Sequence, residues 1–261
     1  MVKATSIAMS QFQQIDPNKE LVRDMASLYN DPLGFVKYAF PWGKRELLGR
    51  EIEVWQQEFL SSLGNEITTR GFDGISAVDP IQFATSSGHG IGKSTMTAWL
   101  ILFIMSTRPY AKGVVTANTS AQLATKTWAE LGKWYGMCMT KPWFHYRSSR
   151  GSMSLMHVDH QETPRFLRIF AGLHAVNSTP FYIFDEASAV PDSIWEVAEG
   201  GTTDGESMWF AWGNPTRATG RFRECFRKFR HRWITKSIDS RTVGLTNKER
   251  LDEWVKDYGE D

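Results

Sequence analysis

The sequence predicts an α/β fold with a mainly parallel central sheet flanked by helices, and three observations carry that prediction. A glycine-rich turn, Ser87-Gly88-His89-Gly90-Ile91-Gly92-Lys93-Ser94-Thr95, separates an apolar strand-like stretch from a helix-like Met96 to Met105. A second run of bulky β-formers, Phe181-Tyr182-Ile183-Phe184, ends in two carboxylates, Asp185-Glu186, about 90 residues after Lys93. Between and beyond them strand-like and helix-like stretches alternate. That is the pattern of a parallel sheet whose crossovers are helices and whose ligands collect at the C-terminal ends of its strands.

The first 70 residues read as a helical segment. Within it, Arg45 to Ser62 contains Glu51-Ile52-Glu53-Val54-Trp55-Gln56-Gln57-Glu58-Phe59-Leu60, which sets Trp55, Phe59 and Leu63 on one helix face. Core packing is the plain reading of that face; a Gln amide beside an aromatic ring can also pair with the donor and acceptor on the edge of adenine. Asn65 to Pro80, with several Gly and Asp residues and no clear period, reads as an irregular connection.

The turn at residues 87–95 reads as a phosphate-binding loop. Glycines let successive backbone N–H groups converge on one point, the Lys93 ammonium neutralises the outer phosphates, and the Ser94 hydroxyl stands where it can hold Mg²⁺ at a helix N-terminus. Ser87 occupies the position where the template G-x-x-x-x-G-K-[ST] has its first glycine. Gly113-Val114-Val115-Thr116-Ala117-Asn118 predicts the next strand, and Ser120 to Met137 a helix after it.

At the tip of the strand Phe181–Phe184, Asp185 is expected to hold Mg²⁺, directly or through water, and Glu186 to orient or deprotonate an attacking water. Taken alone, the acidic pair also suits a helix N-terminus, where acids are favoured. Its occurrence after a phosphate loop in one consistent order favours the nucleotide reading. Met208-Trp209-Phe210-Ala211-Trp212 is a third buried-looking run, ending in Gly213-Asn214-Pro215-Thr216. Asn214 there either touches the γ-phosphate or the attacking water, or simply marks a turn. Arg232 to Ile238 predicts the last strand.

The 261 residues are enough for one large domain or a domain with appendages. Thirty basic and 29 acidic residues leave a net charge of +1, so any surface that attracts nucleic acid must be local. Cys138 and Cys225 follow no metal-ligand or C-x-x-C spacing and read as free thiols in a reducing compartment. The longest apolar run, Ala98 to Met105, is too short to cross a bilayer, and no cleavable signal is visible. The eleven tryptophans are scattered and read as packing residues.

Arg217, Arg221, Arg223, Arg227, Lys228, Arg230 and Arg232 form the densest basic stretch. Phe222, Phe226 and Phe229 fall within it at i, i+4 and i+7, the spacing of a helix stripe that packs inward and leaves the arginines on other faces. DNA contact is the alternative use of those arginines. His157 and His160 look like a metal pair. Ser152 to Val158 alternates like a strand, however, and residues three apart on a strand face opposite ways.

With the loop, the acidic strand and Gly213-Asn214-Pro215 in place, the chain resembles the large terminase subunit of tailed bacteriophages over nearly its whole length. Asp31-Pro32-Leu33-Gly34-Phe35-Val36 and Phe40-Pro41-Trp42-Gly43 are similar to the entry segment of one branch, and Trp55-Gln56 to its adenine-binding motif. Ala171-Gly172-Leu173-His174 also matches. So do Ile238-Asp239-Ser240-Arg241, Trp254 and Tyr258-Gly259-Glu260-Asp261, which are similar to the stretch where the family's ATPase region passes into an RNase H-like nuclease domain. The resemblance implies a P-loop NTPase of the ASCE (RecA-like) type. In that scheme residues 1–70 form an N-terminal helical segment with the adenine motif, 71–238 the ATPase core, and 239–261 a linker or lid leading toward a nuclease domain that this chain lacks.

The resemblance also implies roles. The nucleotide would be held by residues 87–95 with Trp55 and Gln56, Lys93 would bind the β- and γ-phosphates, and Ser94 and Asp185 would hold Mg²⁺. Glu186 would be the catalytic carboxylate, and Asn214 would couple the state of the γ-phosphate to movement. The implied activity is ATP hydrolysis that packages double-stranded DNA, contacted without regard to sequence, into a procapsid in the cytoplasm of an infected bacterial host. Implied partners are the small terminase subunit, the portal protein and further copies of the chain in a ring; no membrane is implied. Many family members carry arginines where His89 and His174 stand. Arg147, Arg150, Arg217 and Arg221 are then candidates for the arginine that stabilises the transition state. Rival readings are a helicase-like DNA-dependent ATPase, a P-loop kinase, and a nucleotide-binding assembly module with a degenerate site.

Overall fold

The structure is a computed structural model that describes residues 17–108, 110–117, 119–147, 152–155, 179–203 and 205–259. Three helices, α1 (Pro17–Ser27), α2 (Pro32–Ala39) and α3 (Val54–Thr69), precede β1 (Ile81–Ser87) and α4 (Lys93–Thr107). β2 (Lys112–Thr116) leads into α5 (Ser120–Gln122), a π-helical segment Leu123–Trp128, and α6 (Ala129–Met137). The hairpin β3 (Phe144–Arg147) and β4 (Ser152–Leu155) forms a small antiparallel sheet of its own. Then come β5 (Pro180–Phe184), α7 (Asp192–Gly200), β6 (Met208–Gly213), α8 (Arg221–Cys225), β7 (Ile234–Ile238) and α9 (Lys248–Tyr258).

The central sheet has five strands in the order β2-β5-β6-β1-β7, and every neighbouring pair is parallel. β1, which feeds the glycine loop, and β5, which ends at Asp185, are therefore not neighbours: β6 runs between them. The tip of β6, with Asn214, falls between the two predicted nucleotide motifs. This is the α/β arrangement the sequence predicts, and its strand order is what brings three separate motifs to one edge.

The three central strands, β1, β5 and β6, bury both faces. Phe83, Ile183, Phe210 and Trp212 join the core with α2, α3 and α4, whereas Ala84, Tyr182, Phe184, Trp209 and Ala211 join a second core under α7 and α8. The period-two split explains why the strands read as unbroken apolar runs. Aromatic rings fill both layers: Phe59 lies 4.6 Å from Phe83 and 5.0 Å from Trp212, and Trp209 lies 5.2–5.3 Å from Phe184, Trp195 and Trp233. α4 is buried almost all round, as expected for a helix apolar on every side.

Two expectations need correction. α3 starts at Val54 and continues to Thr69, so the first part of Asn65–Pro80 is helical; Ile67 extends the buried face of Phe59, Leu60 and Leu63 by one more turn. The helix then stops as Gly71 adopts a φ of +68°. The basic stretch forms only a short helix, which ends at Cys225, and residues 226–232 are turns. Its aromatic stripe still packs inward, with Phe222 buried and Phe226 and Phe229 against the second core. Cys138 and Cys225 are buried free thiols. His157, His160, Ala171–His174, Arg150, Glu260 and Asp261 lie outside the described residues. Among the described residues no helix is long and apolar enough to cross a membrane.

Candidate nucleotide site

The loop at the tip of β1 is shaped by its glycines. Gly90 and Gly92 have φ values of +78° and +92°, which L side chains adopt only at a cost. Gly92 also has no space beside it, since a Cβ there would come within 2.9 Å of Gln56 Nε2 and 3.2 Å of Leu245 Cδ1. Ser87, the departure from the template, meets no such demand. It is still in the β1–β7 ladder opposite Ile238, and its hydroxyl lies 3.3 Å from Lys93 Nζ. A serine therefore fits the position and adds a polar contact.

Lys93 is the first residue of α4, where the helix dipole presents its positive end. Only 8 % of it is exposed. Its ammonium donates to Gly88 O (2.8 Å), Asn214 Oδ1 (2.9 Å) and Ser87 Oγ (3.3 Å), all neutral acceptors. Burial lowers its pKa, against the opposing charges of Glu186 and Asp185 and with help from Lys126. A buried cation at a helix N-terminus without a paired carboxylate is a poorly compensated charge. An anion placed among the loop's N–H groups would complete it.

Asp185 follows β5, continues the ladder by donating its N–H to Thr116 O (2.7 Å), and is 6 % exposed. Its Oδ2 accepts from Thr127 Oγ1 (3.0 Å) and its Oδ1 from the Glu186 N–H (3.1 Å). Burial raises its pKa and the Glu186 charge adds to the rise, while the Thr127 bond and Lys93 oppose it. Glu186 is half-buried and sits in the left-handed region, φ 53° and ψ 44°, a conformation that costs a non-glycine residue about 1 kcal/mol or more.

The donors available to a metal are all hard oxygens: the Asp185 carboxylate and the Ser94 hydroxyl, which makes no internal hydrogen bond among the described residues. This suits Mg²⁺, which keeps several waters and takes one or two carboxylates along with substrate phosphates. Among the described residues there is no cluster of three or more His, Cys, Asp or Glu that would form an all-protein cage.

No family model matches the sequence. Over 149 residues, 53% of this chain, it is 27% identical to the probable terminase large subunit of Enterobacteria phage P7, and the match spans 30% of that protein's length. The fold is similar to that of a point mutant of the large terminase ATPase domain of Thermus phage P74-26, with a TM-score of 0.51, 17% identity, and coverage of 81% of this chain and 90% of that one. The chain resembles large terminase subunits. Its fold is the P-loop NTPase type of α/β sandwich.

Around this terminase-like core, the structure adds supports. Trp55 Nε1 donates to Ile91 O (3.0 Å) and Gln56 Nε2 to Gly92 O (3.4 Å), so the first turn of α3 grips the glycine loop from its backbone. The amide expected at adenine's edge is thus engaged elsewhere: Gln56 is 2 % exposed, and its Oε1 accepts from the Glu53 N–H (3.1 Å). The segment after β7 closes over the outside of the loop. A Cβ on Gly88 would collide with Ser240 Oγ, and Glu53 Oε2 accepts from the Gly244 N–H (3.0 Å). His89 is exposed at the loop's tip.

The arginine candidates separate. Arg221 is engaged by Glu199, which also binds Arg232, and it stacks over Phe229. Arg147 ends the exposed edge of the β3–β4 hairpin, and Arg217 is exposed three residues beyond Asn214. The sequence predicts the helical stretch after β2 but gives it no part in the site. Its Thr127 reaches Asp185, and its Glu130 accepts from Thr95 Oγ1 and Trp134 Nε1, both at 2.8 Å. Burial disfavours the charged form of Glu130, but the bonds from Thr95 and Trp134 and the charge of Lys133 outweigh it and lower its pKa. The only available signal was that this helix leaves a strand tip at the ligand edge.

Proposed function

We propose that this chain is the ATP-hydrolysing motor region of a phage large terminase, and that Lys93, Asn214, Asp185 and Glu186 form its reaction centre. The observation that carries this reading is the Lys93 ammonium, buried at a helix N-terminus and held by three neutral acceptors, one of them the side chain of Asn214. A triphosphate supplies the missing anion. Its outer phosphates would displace the loop carbonyl from Lys93 and collect the N–H groups of residues 88–94.

Mg²⁺, when bound at Ser94 and Asp185, supplies divalent charge to the phosphate oxygens. Glu186 orients the attacking water and accepts its proton. Asn214 is bonded to Lys93 before nucleotide arrives, so exchange of that bond for the terminal phosphate would report hydrolysis to β6 and the loop after it. Thr216 in that loop lies 3.2 Å, hydroxyl to hydroxyl, from Ser188 beyond Glu186, which links the two strand tips. Trp55 and Gln56 act on the nucleotide through the loop backbone they hold.

The sequence and fold likenesses to phage terminases support double-stranded DNA as the translocated polymer. The small terminase subunit, the portal protein and a ring of copies on the procapsid in the host cytoplasm complete this reading. Contacts to DNA are expected at its phosphates and to weaken steeply with salt. The test is phosphate release from ATP with and without duplex DNA, together with nucleotide titration. The parent protein should hydrolyse ATP, and Glu186→Gln should bind ATP without hydrolysing it; equal turnover by the two proteins would refute the assignment.

A further inference from the structure

The helical stretch after β2 lies across both nucleotide motifs, through Thr127 to Asp185 and through Glu130 to Thr95. Lys126 precedes Thr127 and stands four residues before Glu130. On a helix that spacing sets Lys126 on the Glu130 face, one turn closer to the N-terminus. Because the helix departs from the tip of β2, that turn is also the one nearer the strand ends where the nucleotide phosphates would lie.

The Lys126 side chain is exposed and makes no hydrogen bond or ion pair among the described residues. Its ordinary partner would be the i+4 carboxylate, Glu130, but that group is engaged by Thr95, Trp134 and Lys133. Lys126 also sits in the π-helical segment Leu123–Trp128, and such interruptions of α-helices frequently mark functional positions.

We infer that Lys126 contacts the terminal phosphate of the bound nucleotide and stabilises the charge that develops during hydrolysis, as an arginine does in related NTPases. The inference rests on the ATP-hydrolysing reading above. In the step, water oxygen bonds to the γ-phosphorus while the bond from that phosphorus to the bridging oxygen breaks. The electron pair leaves on the β-phosphate of ADP, and the water proton passes to Glu186. Lys126 exchanges no proton and offsets negative charge on the transferring group. Arg221, held by Glu199, is thereby replaced as a candidate, and the loop needs no arginine at His89.

The test compares Lys126→Ala and Lys126→Arg with the parent in phosphate release and in affinity for ADP and for ADP with aluminium fluoride, a mimic of the transferring phosphoryl group. Lys126→Ala should lower kcat by about 100-fold or more. It should lower affinity for the aluminium fluoride complex in parallel, and leave ADP affinity within about threefold. Its melting temperature should not move, since the side chain is exposed, and Lys126→Arg should recover most of the rate. Full turnover by Lys126→Ala beside an inactive Glu186→Gln overturns the role of Lys126 alone. Equal losses of ADP and aluminium fluoride affinity also overturn it. A parent protein that releases no phosphate overturns the hydrolytic reading and Lys126 with it.

Discussion

Lys93 and Arg108 stand at the two ends of α4, both nearly closed to solvent, at 8 % and 2 % exposure. Arg108 caps the C-terminal end, where the helix dipole favours a cation. It donates to Thr107 Oγ1 (2.8 Å) and Tyr29 O (2.9 Å), and its guanidinium lies 4.2 Å from the Tyr29 ring and 4.8 Å from that of Phe103. Tyr29 in turn donates to Glu206 (3.0 Å), which also accepts from the N–H groups of Asp73 and Gly74. Burial lowers the Arg108 pKa to about 10, with Tyr29 and Glu206 opposing the shift. Lys93, at the other end, faces the unfavourable pole of the dipole; among the described residues neither cation bonds a carboxylate, but Arg108 also lies over two aromatic rings and Lys93 over none. Burial is common to both residues. What separates a structural cation from a ligand-seeking one is the sign of the helix end and the chemistry of the partners.

The largest expected effects fall on the Lys93 end. Glu186→Gln should reduce phosphate release by about 10²–10⁴-fold, the range for loss of a general base, with ATP binding retained. In the parent, nucleotide at a hundredfold excess over Kd should add about 2.7 kcal/mol of stability. Lys93→Met should abolish that gain, read as the loss of the nucleotide-induced rise in Tm.

Arg108→Met should do the reverse. About 3 kcal/mol of stability should disappear, as for a broken buried polar network, while the folded protein binds nucleotide as before. Denaturant midpoints and calorimetric titration would separate the two outcomes, and a nucleotide-binding defect in Arg108→Met would break the contrast between the ends.

A smaller effect sharpens it. The folded Asp185 pKa lies above the ordinary carboxylate value, so its ionised form carries a penalty at neutral pH that fades as pH falls through the raised pKa. Asp185→Asn should therefore stabilise the unliganded protein by about 1 kcal/mol near neutrality. The advantage should shrink on acidification, and activity should be lost. Smallest of all, Gln56→Ala removes one grip on the loop. It should cost about 1 kcal/mol and weaken nucleotide affinity modestly, measured by titration, with kcat nearly unchanged.

The ligand edge was legible where the chemistry is local. The glycine loop, the acidic strand tip and the five strands of the sheet each announce themselves in a few consecutive residues, and the Ser87 departure from the template is harmless for a reason visible only in the ladder. Asn214 reads in the sequence as either a turn or a site residue, and its bond to Lys93 exists only through the strand order that brings the β6 tip beside the loop. Thr127, Glu130 and Lys126 carry no motif, because their relation to Asp185 and Thr95 exists only through the crossover of β2 and its helix. The basic stretch misled in the same way: Arg221 and Arg232 are held by Glu199 on α7, a partner no local spacing reveals.

The central claim is that Lys93 is a cation that lacks its anion. It is tested most directly by calorimetric titration of MgATP into Glu186→Gln, with and without Lys93→Met in the same chain. The account predicts clear binding in the first protein and at least about a tenfold weaker association in the second, a difference of about 1.4 kcal/mol. Equal affinities would contradict it.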